Sequence, residues 1–142
     1  SETHSKLRQY VAYANAQEDG NNGHGTHVAG SVLGNSDDAT AGQANGMAYD
    51  AKLDFFDIGN ANGGLSVPNS LANTMFPYAA DVGSTIHSNS WGAPVNTYDT
   101  MASEVDQYSF EHQDFLVLIA NGNDGTAAGT VGTPATAKNC VS

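Results

Sequence analysis

Asn22-Gly23-His24-Gly25-Thr26-His27-Val28-Ala29-Gly30-Ser31-Val32-Leu33-Gly34 is the stretch on which the reading of this chain turns. A glycine precedes His24, and the residues after it carry helical spacing. Val28, Val32 and Leu33 supply apolar positions, Gly25, Ala29 and Gly30 are small residues suited to a packed side, and Gly34 can close the helix. His24 therefore stands at a helix start. The positive end of the helix dipole there favours a neutral imidazole, the form a general base requires. His27 lies one turn on and shares a helix face with His24, so the pair could also form half of a metal site. Such a site needs a further converging ligand, and the sequence nominates none.

Outward from that helix, elements alternate. Before it, 7–14 reads as a strand and 15–23 as a loop of turn residues; His4, earlier still, is expected to be solvated. After it comes a loop over 35–45. The aromatic run 52–58, Lys-Leu-Asp-Phe-Phe-Asp-Ile, is the next strand. A glycine- and asparagine-rich turn spans 59–64. The spacing then predicts a helix over 66–80, with Ser66 as cap, Pro68 in its first turn and Pro77 as a kink. A short strand over 84–90 follows, with His87 packed inside it. Next is a helix over 97–112, with Met101, Val105 and Tyr108 on one side and His112 near its end. The near-continuous apolar run 114–120, Asp-Phe-Leu-Val-Leu-Ile-Ala, predicts a strand buried on both faces. Alternating strands and helices imply an α/β fold, a mostly parallel sheet covered by helices. In such sheets ligands bind at the carboxyl ends of strands. Two stretches fall there: Ser88-Asn89-Ser90-Trp91-Gly92 and Ala120-Asn121-Gly122-Asn123-Asp124-Gly125.

Composition narrows the function. The chain has 142 residues, one domain at most, and its hydrophobic fraction of 39% suffices for a core. Four basic residues against fifteen acidic ones give a net charge of −11, which argues against nucleic acid and against an anionic membrane surface. No apolar run approaches the roughly 18 residues of a membrane span. One cysteine, Cys140, allows no internal disulfide and reads as a small buried residue rather than a nucleophile.

His-Gly-Thr-His-Val-Ala-Gly at 24–30 resembles the histidine motif of the subtilisin-like serine proteases. The stretches 88–92 and 120–125 match the same family in the same order. So does the tail Val131-Gly132-Thr133-Pro134-Ala135-Thr136-Ala137-Lys138-Asn139. Trp91 and the run 134–139 resemble the oxidatively stable alkaline protease subgroup most closely. The resemblance implies a three-layer subtilisin-like fold, of which residues 1–142 form a partial catalytic domain. It also implies serine endopeptidase activity for the parent protein. His24 would be the general base, and Asn123 the donor to the oxyanion of the tetrahedral intermediate. Ser90, Trp91 and Gly92, with Ala120, Asn121 and Gly122, would form the two walls of the pocket for the residue before the scissile bond. Gly63-Gly64-Leu65 would supply another substrate edge. Asn121 departs from the family, where small apolar residues are commoner. A cis bond at Thr133-Pro134 is left open by the sequence.

The chain contains neither an Asp-Ser/Thr-Gly motif before His24 nor a Gly-Thr-Ser motif after Asn123. It is therefore expected to be an internal fragment, inactive alone, of a secreted monomeric protease acting on polypeptides. The chemistry needs no cofactor. Calcium is a common structural ion in the family, but no loop here presents a ligand set to which it can be assigned. A non-catalytic peptide-binding relative on the same fold, and a His-x-x-His metal-binding domain, are the alternatives.

Overall fold

The computed structural model describes residues 6–14, 23–36 and 44–142. The expectations for His4, for most of the 15–23 loop and for part of the 35–45 loop lie outside the described residues. The chain divides into two compact units, Ser1–Val67 and Pro68–Ser142. Both are built of helices and parallel strands, an α/β arrangement.

In the first unit β1 (Leu7–Ala12) pairs in parallel with β2 (Leu53–Asp57), with a register shift between Leu7 and Gln9. Cross-strand pairs fix the register. Tyr10 stacks on Phe55 with ring centroids 5.6 Å apart, and Tyr13 on Phe56 at 5.3 Å. Arg8 Nε donates to Asp54 Oδ1 at 3.2 Å, and the guanidinium makes a second bond to Asp54 Oδ2. Between the strands runs α1 (His24–Leu33). Its last turn is braced from outside. Lys6 Nζ donates to the Leu33 carbonyl at 2.6 Å, a cation placed where orphan carbonyls collect. The 46–48 segment hydrogen-bonds back onto Ser31, Val32 and Gly34. Gly46 passes so close that an added Cβ would stand 2.6 Å from the Leu33 nitrogen.

The packed side expected for α1 differs from the observed one. Leu33 is the buried residue of the helix; Gly30 is exposed, with nothing within 4 Å of where its Cβ would be. Gly34 caps the end through its N–H to Gly30 O, at φ −56° rather than in a left-handed conformation.

The expected 66–80 helix is shorter and begins differently. Ser66 N–H instead bonds Ile58 O and closes the turn in which Gly59 bridges Leu65. Ser70 is the cap, its hydroxyl accepting from Asn73 N–H at 3.2 Å. A π-helical turn, Leu71–Met75, leads into α2 (Phe76–Ala80). Phe76 N–H reaches Leu71 O, five residues back, just before Pro77, which has no N–H to give. The wider turn thus places the proline at the start of a new helix, where its missing donor costs least. Glu104 reaches over from α3 (Thr100–Glu111) and accepts from Leu71 N–H at 2.6 Å.

β3 (Ile86–Asn89), α3 and β4 (Leu116–Ile119) form a parallel β-α-β unit with register Ile86↔Leu116 to Asn89↔Ile119. Leu71, Met75, Phe76, Ala102, Val105, Tyr108, Phe115, Val117 and Ile119 are its core. β4 is not buried on both faces. Val117 and Ile119 point into the core, Leu116 is exposed and Leu118 half-buried, the alternation of a strand with one covered face. No helix among the described residues is long and apolar enough to cross a membrane.

Candidate active site

Gly23 adopts φ 76°, a left-handed conformation open to a residue without Cβ, and from it the chain turns directly into the first residue of α1. That residue is His24. Its side chain is exposed, and so is that of His27. Among the described residues, no group of three or more His, Cys, Asp or Glu side chains converges as a metal site would require.

Gly63, Gly64 and Leu65 lie in the first unit, in the turn that Gly59 and Leu65 bridge. The segments 90–92 and 120–123 belong to the second unit. Parallel strands β3 and β4 end side by side. Ala120 N–H donates to Asn89 O at 2.9 Å, so the segment Ser90-Trp91-Gly92 and the segment Ala120-Asn121-Gly122 leave the sheet as neighbours. A third segment lies against the first. Ala93 bridges Thr133 antiparallel, with Ala93 N–H to Thr133 O at 2.9 Å and Thr133 N–H to Val95 O at 3.0 Å. These contacts require glycine. A Cβ on Gly92 would stand 2.8 Å from Thr133 O, and one on Gly132 would stand 2.4 Å from Ala93 O. The Thr133–Pro134 peptide bond is cis.

Asn89 holds the strand ends in place. It is 3% exposed. Its side-chain nitrogen donates to Leu118 O at 3.1 Å and to His87 O at 3.3 Å, and its oxygen accepts from Trp91 Nε1 at 3.2 Å. Trp91 is thereby oriented and half-buried, while Ser90, Gly92, Ala120, Asn121 and Gly122 are exposed. Asp99 anchors the opposite side. Its Oδ1 accepts from Ala102 N–H at 3.0 Å, capping α3, and from the Thr133 hydroxyl at 2.6 Å. The sequence marks Asn89 only as part of a motif, and Asp99 falls inside the expected 97–112 helix, whereas it caps a helix that begins at Thr100. The signal for Asp99 was its place just before a helical run.

Asn123 is exposed in the loop after Gly122, and among the described residues its side-chain amide has no hydrogen-bond partner. An amide so placed is free to donate to an incoming oxyanion. Cys140 is half-buried, with Sγ 3.7 Å from Ala137 O; burial, then the Asp106 carboxylate, push its thiol above the ordinary value. That shift opposes thiolate formation.

Residues 2–142 match the model of the subtilase family, Peptidase_S8. The chain belongs to the subtilase family. Among its relatives is "Serine protease/ABC transporter B family protein tagB" of Dictyostelium discoideum, 32% identical over 99% of this chain and 8% of that protein. The tagD protein of the same organism is 31% identical over 97% of the chain and 8% of its own length. "Minor extracellular protease Vpr" of Bacillus subtilis (strain 168) is 29% identical over 84% of the chain and 14% of that protein. The subtilase chain thus spans less than a tenth of the two Dictyostelium proteins and about a seventh of the Bacillus one.

Proposed function

We propose that residues 1–142 are part of the catalytic domain of a serine endopeptidase that cleaves polypeptides through an acyl-enzyme. His24 takes the proton of a serine hydroxyl supplied from elsewhere in the protein and returns it to the leaving amine. Asn123 donates its amide to the oxyanion. Ser90-Trp91-Gly92 and Ala120-Asn121-Gly122 flank the side chain before the scissile bond, their backbone pairing with an extended substrate as an added strand. Gly63-Gly64-Leu65 offers a further edge. Secretion belongs to the same proposal and draws on the word "extracellular" in the name of the Bacillus relative.

The observation that carries this reading is the hydrogen bond from Ala120 to Asn89. It sets the two proposed walls side by side, with the unpartnered Asn123 amide directly following one of them. The test is peptide hydrolysis by the intact protein carrying His24→Ala or Asn123→Ala. Loss of the base is expected to lower turnover roughly 10³-fold or more. Loss of an oxyanion donor costs on the order of 10²–10³ in kcat in subtilisin itself. Unchanged hydrolysis by His24→Ala would refute the proposal.

A further inference from the structure

The loop that carries Asn123 is long, exposed and poorly tied. Residues 121–129 are all exposed. Gly122, Gly125 and Gly129 take φ values of 113°, 86° and 80°, so the backbone turns three times through conformations that side chains resist. The two ends are fastened. Gly132 N–H donates to Asn121 O at 2.8 Å, and Asn96 Nδ2 donates to Val131 O at 2.7 Å. Between them, among the described residues, one side chain closes the loop on itself. The Thr130 hydroxyl lies 2.7 Å from Ala127 O and 2.9 Å from Gly125 O, sharing its single proton between the two carbonyls.

We propose that Thr130 is a positioning residue for Asn123, an inference that rests on the oxyanion role given to Asn123 above. Gly125 is two residues from Asn123, and its carbonyl is held by the Thr130 hydroxyl. With three left-handed glycines in the loop, the backbone has little stiffness of its own. The direction of the Asn123 amide therefore depends on the Thr130 clamp. A donor to an oxyanion acts only when already aimed at the place where charge develops. A misplacement of about 1 Å is enough to lose most of its effect. Thr130 touches no substrate in this scheme; it acts through Asn123.

The test is a set of variants of the intact protein assayed for kcat and KM on a chromogenic peptide. Thr130→Val removes the hydroxyl at nearly constant volume and is expected to lower kcat about tenfold with KM little changed, short of the full loss of the donor. Thr130→Ser keeps the hydroxyl and is expected to retain most of the activity. Thr130→Ala deletes the same hydroxyl without branching and stands in should the valine variant fail to fold. Because Thr130 acts through Asn123, adding Thr130→Val to Asn123→Ala is expected to cause no further loss. A full additional tenfold loss in the double variant would overturn the proposal. So would a Thr130→Val protein that melts at a lower temperature but turns over at the parental kcat, since that is a purely structural role. An Asn123→Ala variant with unchanged kcat would remove the oxyanion reading and this inference together. A damaging Asn123→Ala beside a silent Thr130→Val would remove this inference alone.

Discussion

His87 makes the second unit sensitive to acid. It sits on β3 with Phe76 edge-on at 5.1 Å between ring centroids and Phe115 at 6.0 Å, and its Nδ1 is buried without a hydrogen-bond partner. Burial lowers its pKa from 6.5 to about 4, against a smaller upward pull from the Asn89 side chain. The folded state thus holds the neutral ring. The stabilisation is fully present above the unfolded value of 6.5 and is lost as pH falls from there towards about 4. The whole drop corresponds to about 3.4 kcal/mol at roughly 1.36 kcal/mol per pH unit. At pH 5 the unfolded chain is mostly protonated and the folded one is not, so the loss relative to pH 8 is about 2 kcal/mol. The ring edge keeps some contact with solvent, which makes this an upper bound. The assay is urea unfolding at pH 8 and pH 5, followed by circular dichroism, for the parent and for His87→Gln. Carboxylates titrate alike in both proteins and cancel in the comparison. The parent is expected to lose up to about 2 kcal/mol more than the variant between the two pH values. Equal losses would refute the burial argument.

Three further outcomes follow from the geometry of the strand ends. Asp99→Ala removes both the α3 cap and the acceptor of the Thr133 hydroxyl, and is expected to cost about 1–2 kcal/mol in chemical unfolding; Asp99→Asn, which keeps a side-chain oxygen, should cost less. Gly132→Ala forces a Cβ against Ala93 O and is expected to destabilise by about 1–3 kcal/mol, read as a lower melting temperature. Asn89→Ala leaves the Leu118 carbonyl and the Trp91 indole N–H without their partner. It is expected to cost about 1–3 kcal/mol and to shift tryptophan emission to the red as the indole loosens.

The sequence made the α/β order legible because strong local signals agree with the tertiary result. A glycine before His24, an amphipathic run at α3 and apolar runs at β2 and β4 all fall in the elements that their patterns indicate, although β4 has one covered face rather than two. Where the expectation missed, a non-local partner decides. Ser66 is drawn into the Gly59–Leu65 turn, so capping passes to Ser70, and Pro77 selects a π turn ahead of it. Composition cannot show that Gly30 lies open or that Leu116 is exposed, because burial depends on what packs there. The position of the proposed wall residues, directly after β3 and β4, was legible from the runs that precede them. The residues that tie the strand ends, Asn89 and Asp99, were not, since each bonds a segment distant in sequence: Asn89 the Leu118 carbonyl and Asp99 the Thr133 hydroxyl.

Gly92 and Gly132 carry a consequence for anyone reshaping the segments that leave the two strands. Pockets are commonly narrowed by growing a side chain from their lining, yet both positions press against carbonyl oxygens that cannot yield without opening the Ala93–Thr133 bridge. A library built at either glycine would mostly sample broken scaffolds. Diversity belongs instead at Ser90 and Asn121, whose exposed side chains can change size and polarity while the backbone beneath them stays where the two strands leave it.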